Sequence, residues 1–110
     1  MEPAKIKAII KRPDEKYGHM TNISPSLKNL QKIVGGHIQT VPILPDKGLV
    51  MICNEEGKIL GLEKNFCMGT PPFHDVIVGT VILCGVNEEW LADVPIDFKM
   101  WKFVIDNWNS

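Results

Sequence analysis

The sequence predicts an α+β fold: one small domain over residues 1–110, with a mixed sheet of about five strands, one helix after the first strand and a C-terminal helix packed on the sheet. Three observations carry this expectation. Residues 24–41 read as a short helix, a Gly35-Gly36 stop and a strand that leaves at once. An alternating strand pattern at 5–11 and apolar runs at 49–53 and 76–86 mark the strands. Phe98, Trp101, Val104, Ile105 and Trp108 form one stripe of a helix.

Taken in order, residues 5–11 alternate, with Ile6, Ala8 and Ile10 on one side and Lys5, Lys7 and Lys11 on the other, as in a half-buried strand with Ile9 as the exception. Residues 13–23 then read as a polar loop. Ser24 is the expected N-cap and Pro25 the first helical residue. Leu27, Leu30 and Val34 make the apolar stripe, and Gly35 suits the left-handed residue that ends many helices. Gly36 lets backbone reverse or pass close to a neighbour. Residues 37–41 form the next strand, limited by Pro42. A parallel pairing of these two strands would make the intervening helix a right-handed crossover.

Residues 45–48 are a turn and residues 49–53 a central strand. Asn54-Glu55-Glu56-Gly57 is expected to close a hairpin, with Gly57 at positive φ and residues 58–62 returning. Residues 63–75 form a second long connection, stiffened by Pro71-Pro72. Residues 76–86 are apolar on both alternating faces, so they belong in the middle of the sheet, with Gly79 and Gly85 marking a bulge or a close approach. Residues 87–95 link to a helix capped by Asp97. No internal repeat, low-complexity segment or second domain is visible.

The balance of 45% hydrophobic and 23% charged residues is that of an ordinary soluble domain. A net charge of −1 argues against a broad electrostatic footprint for extended nucleic acid. The three cysteines, Cys53, Cys67 and Cys84, are odd in number and unclustered, so a reducing cytoplasm is expected and a disulfide framework is not. The N-terminal residues lack the apolar block of a signal peptide, and the longest apolar run is too short to span a bilayer, so no membrane role is expected.

Chemistry leaves little trace. The three cysteines with His19, His37 and His74 lack the close pairs typical of zinc sites, so no metal is expected. Cys67, with His74 seven residues on and Asp75 beside it, could take part in nucleophilic catalysis; an incidental loop thiol is the simpler reading. Glu55-Glu56 and Glu88-Glu89 sit at turns, where carboxylates are usually solvated. Gly35-Gly36 follows a helix, whereas phosphate loops precede one. No catalytic residue and no cofactor is assigned, and a non-enzymatic protein is expected.

Ligand binding is better supported. Lys11 and Arg12 end the first strand and could meet phosphate. Asn65, Thr70 and His74 bring polar edges, and Tyr17, Phe66 and Phe73 bring stacking faces. If loops 13–23 and 63–75 meet at one sheet end, they would form a cleft for a small anionic, aromatic ligand such as a nucleotide. The alternative is that these are ordinary loop residues. Three tryptophans, with Met100 and Phe103 outside the helix stripe, suggest a homo-oligomer face; equally, Trp101 and Trp108 could simply fill the core.

Leu30-Gln31-Lys32-Ile33-Val34-Gly35-Gly36-His37-Ile38-Gln39-Thr40-Val41-Pro42, then Asn54-Glu55-Glu56-Gly57-Lys58 with Gly61-Leu62 and Asn65, then Asp75-Val76-Ile77-Val78-Gly79-Thr80, resemble in order and spacing the DUF3846 family of small bacterial and phage proteins. The resemblance covers about residues 5–86, leaving out the Trp-rich helix, and carries over no catalytic residue. It implies a phage or mobile-element accessory protein working by binding in the host cytoplasm. The leading expectation is a non-enzymatic, homo-oligomeric protein that sequesters a nucleotide-type ligand, an anti-defence signal sponge. The alternative is a protein–protein interaction module or inhibitor acting through its apolar C-terminal helix.

Overall fold

Residues 6–11 alternate in a way that buries both sides of the strand they form. In the computed structural model, which describes residues 3–70, 72 and 74–109, this is β1 (Ile6–Lys11). Ile6, Ala8 and Ile10 enter one core, and Ile9 enters another on the opposite face. Lys11 shares the face of Ile9 and is only 2% exposed. The strand is therefore covered on both sides, which is why Ile9 broke the half-buried pattern.

The remaining elements are β2 (His19–Ile23), α1 (Leu27–Val34), β3 (Ile38–Leu44), a 3-10 turn (Pro45–Lys47), β4 (Leu49–Asn54), β5 (Lys64–Met68), β6 (Asp75–Val78), β7 (Val81–Asn87), β8 (Trp90–Ala92) and α2 (Phe98–Trp108). The α+β class and the two helices are as expected. The main sheet is six-stranded, ordered β2-β1-β7-β4-β3 with β8 also on β7, and β5 and β6 form a separate two-stranded sheet. Every pairing among the described residues is antiparallel, so the sheet is not mixed and α1 is not a parallel crossover.

Several local expectations are corrected. The segment 13–23 is a loop only to Gly18; its second half is edge strand β2, paired from Ile6↔Ile23 to Ile10↔His19. The N-cap of α1 is Ser26, whose side chain accepts from the Asn29 amide at 3.3 Å. Ser24 instead accepts from the Ser26 amide, and its carbonyl takes the Asn29 side-chain amide. Pro42 does not end β3, because β3 is an edge strand and can carry a residue without an N–H.

The expected return strand over 58–62 is a compact turn, in which the left-handed glycine is Gly61 rather than Gly57. The run 76–86 is two strands. Gly79 takes φ +76° between them, and its amide donates to the Glu63 carbonyl at 2.8 Å, sending β6 and β7 into different sheets. Pro71 and Phe73 lie outside the described residues.

The Gly35-Gly36 pair does two jobs. Gly35 ends α1 at φ +82°, its amide donating to the Gln31 carbonyl at 2.8 Å. Gly36 passes so close to Asn54 that an added Cβ would lie 2.8 Å from its side-chain nitrogen. That nitrogen donates to the Val34 carbonyl, so buried Asn54 satisfies an open helix end.

Three layers result. α1 places Leu30 and Val34 over Ile6, Ala8, Ile10, Val50, Ile52, Ile82 and Cys84. On the other face, α2 and the β5–β6 sheet cover Ile9, Leu49, Met51, Val81 and Leu83. Trp101, fully buried, meets Phe66 edge-on at 5.8 Å, and Trp108 stacks on Phe66 at 6.3 Å. The Trp101 indole N–H donates to the Tyr17 carbonyl at 2.9 Å. Asn109 donates to the Cys67 carbonyl and accepts from the Cys67 amide, fastening the end of α2 to β5. Among the described residues no helix is long and apolar enough to cross a membrane.

Trp101 should therefore carry far more stability than its neighbours on the exposed side. Trp101→Ala is expected to lower the urea-unfolding free energy by about 3–5 kcal/mol. Phe103→Ala, on the same helix but 69% exposed, should change it by no more than about 0.5 kcal/mol.

Candidate functional site

The end of β1 and the start of β5 bring Lys11, Asn65 and Phe66 together. The Lys11 ammonium donates to the Asn65 side-chain oxygen and lies 5.6 Å from the centre of the Phe66 ring. The Asn65 side-chain amide donates to the Lys11 carbonyl at 2.9 Å and to the Gly79 carbonyl at 2.7 Å. Each polar group thus completes another, and Asn65 joins β1, β5 and the β6–β7 break. Burial pushes the Lys11 pKa below its ordinary value, against the opposing pull of Glu15 and Asp14.

Arg12 lies alongside, exposed, with its guanidinium 3.6 Å from Glu15. Glu15 also accepts from the Arg12 amide and lies 2.9 Å from His19 Nδ1. Its limited burial would raise the carboxyl, but these partners together hold it below the usual range. Tyr17 donates its hydroxyl to Asp106 on α2, at 2.9 Å from each oxygen. An open depression of about 690 Å³ lies over this region, lined by Lys11, Asp14, Glu15, Lys16, Asn65 and Asp106 among others. Phe66 offers it little stacking surface, being 3% exposed and packed between Trp101 and Trp108.

Thr70 and His74 are exposed and stand apart from this group. His74 lines a shallow depression with Pro42, Leu44, Met68 and Trp108, beyond the other end of β5. The loop residues expected to share a site are thus divided by the length of β5. Lys11, Asn65 and Phe66 meet, with Arg12 and Tyr17 nearby, and Thr70 and His74 do not join them.

A more enclosed cleft lies between the two sheets. It holds about 380 Å³ and opens where β3 and β4 leave the cover of α2. Val41, Met51, Cys53, Met68 and Ile77 are among its apolar walls, and Gln39, Glu55, Glu56, Lys58 and Asp75 contribute polar groups. Lys58 bridges to Asp75 at 2.7 Å, a hydrogen bond that holds the Asp75 carboxyl below its ordinary pKa. Glu55 and Glu56 leave the lining with an excess of negative charge. Burial, with help from Asp75, pushes the Cys53 thiol up and so keeps it protonated. Cys84, in the α1-side core, is pushed up to about 12 by burial. No group of three potential ligands able to hold a metal occurs among the described residues.

This cleft escaped the sequence reading because its walls lie on strands that touch only in three dimensions. One signal was present: Met51 and Cys53 share a face by alternation, and soft sulfur side chains often line adaptable sites.

Residues 6–101 match the family DUF3846, described as a domain of unknown function. The match reaches Trp101, so it takes in the first turn of α2 as well as the sheet. No curated protein and no solved structure matches the chain.

The Lys11–Asn65 arrangement makes a pH prediction. Asn65→Ala should cost on the order of 3 kcal/mol, since it removes the side-chain acceptor of the Lys11 ammonium and the donor to two carbonyl oxygens. Lys11→Met removes the charge and should cost less, under about 1.5 kcal/mol. Because the folded pKa of Lys11 lies below 10.5, the unfolded chain holds more protons between the two values. Wild-type stability should therefore rise relative to Lys11→Met as pH climbs through that window and fall back as pH descends. Urea denaturation of both proteins across the alkaline range measures the difference.

Proposed function

This chain belongs to the DUF3846 family, and from its own geometry we propose that it is a non-enzymatic binding protein that holds a small organic molecule in the cleft between its two sheets. The cleft carries the reading: a gap of about 380 Å³ between the two sheets, with apolar side chains at its base and polar side chains from the β4–β5 turn and β6 around it. A gap of this size with a few polar groups around it is the usual form of a small-molecule site. The thiol in its lining is held protonated and is a weak nucleophile, which speaks against covalent chemistry at that side chain.

Charge narrows the ligand. Glu55, Glu56 and Asp75 outnumber Lys58 in the lining, so a phosphate-rich molecule would enter against repulsion. A nucleoside-type molecule, with a flat apolar body and neutral or cationic polar groups, suits the cleft better than the anionic nucleotide the loops suggested. In the setting implied by the family resemblance, the protein would act in the host cytoplasm as a phage or mobile-element accessory that removes such a molecule from solution.

Titration calorimetry against matched nucleosides and nucleotides tests this reading. The nucleoside should bind one per chain and the nucleotide at least about tenfold more weakly. Met68→Trp, which fills the cleft, should remove binding while the protein still unfolds cooperatively. A folded Met68→Trp protein that binds as before, or a wild type that takes up none of the panel, would refute the proposal.

A further inference from the structure

Two exposed apolar features lie on different parts of the chain in opposite charge surroundings. The first is a knob on the turn between β4 and β5. Ile59 is 86% exposed and Leu60 59%. The turn is built rather than loose: the Leu60 amide donates to the Glu56 carbonyl at 2.9 Å and the Leu62 amide to the Gly57 carbonyl at 3.0 Å. Glu55 and Glu56 precede the knob and Glu63 follows it, all exposed. Lys58, the one cation within the turn, is paired with Asp75. The knob is therefore apolar with an acidic border.

The second feature is a groove of about 710 Å³ beside the first half of α2, lined by Pro95, Ile96, Met100 and Phe103 with Lys47 and Lys99. Met100 is 41% exposed and Phe103 69%. Asp97 also lines it, but its carboxylate caps α2 by accepting from the Met100 amide at 2.7 Å. The groove is therefore apolar, with two ammonium groups against one carboxylate at its border. Exposed apolar surface bordered by polar groups is the usual form of an interaction site.

We propose that the Ile59–Leu60 knob of one copy docks into the Met100–Phe103 groove of a second copy of this chain. The two aliphatic side chains leave water against Ile96, Met100 and Phe103, while Glu55 and Glu56 come to face Lys47 and Lys99. Complementary charge selects this pairing over knob against knob or groove against groove, each of which would oppose like charges. The contact joins two different patches, so it either occurs twice in a two-fold pair or repeats head to tail as a ring or a chain. Ile59, Glu55 and Glu56 also line the cleft, so the knob adjoins the proposed ligand site. The test needs no ligand and Met100 and Phe103 lie outside the cleft, so failure of docking and failure of ligand binding are read separately.

Sedimentation analysis of the full chain and two charge-inserting variants tests the docking. A single chain weighs 12.4 kDa, and the wild type is expected above that mass. Ile59→Arg, which spoils the knob, and Phe103→Lys, which spoils the groove, should each weaken association by more than about tenfold and leave single chains. Both positions are exposed, so both variants should keep the wild-type circular dichroism and unfold cooperatively. Mixing the two variants should restore a two-chain complex, since one retains its groove and the other its knob. A wild type that remains a single chain at its highest soluble concentration overturns the proposal. So does assembly that persists in either variant, or a mixture that stays as single chains.

Discussion

A sheet that is apolar on both faces cannot stand in water, and the rest of this molecule answers that constraint. β7 carries Ile82 and Cys84 on one side and Val81 and Leu83 on the other, all fully buried. β1 and β4 repeat the pattern. α1 is short and covers one face with two buried residues, Leu30 and Val34. The other face needs a broader cover, supplied jointly by α2 and the small β5–β6 sheet. Trp101 is the bolt of that second layer: its ring fills the core while its N–H reaches back to Tyr17. Asn65 and Asn109 then tie β5 to β1 and to α2.

The cleft follows from the same geometry. A helix and a two-stranded sheet cover one face in two pieces, and beyond the reach of α2 the β5–β6 sheet stands over Met51 and Cys53 with space between. Val41, Met51, Cys53 and Ile77 make its apolar part because they belong to a face that would otherwise be core. The mouth is acidic because the chain turns there through Glu55 and Glu56. A binding site can thus arise where a cover is incomplete, without a dedicated catalytic loop.

What the sequence made legible was local and periodic. The α2 stripe, the Asp97 cap, the Gly35 stop and the apolar β4 all depend on neighbours within a turn or two of chain, and all are present. Other features depended on distant partners. β2 has few apolar residues and exists because β1 offers it an edge. The run 76–86 looked like one strand until Gly79, bonded to Glu63, divided it between two sheets. Lys11 read as a solvated end-of-strand cation, yet Asn65, far along the chain, buries and satisfies it. Loop residues expected to converge were separated by β5, a strand that the short, non-alternating sequence 64–68 did not announce.

The most direct test of a binding cleft between the sheets is a two-dimensional NMR titration of the labelled protein with a nucleoside. Shifts should concentrate at Gln39, Val41, Met51, Cys53, Met68 and Ile77, with Lys11, Arg12 and Asn65 unmoved. Shifts centred on Lys11, Arg12 and Asn65 would contradict it, and so would a spectrum that does not change at saturating ligand.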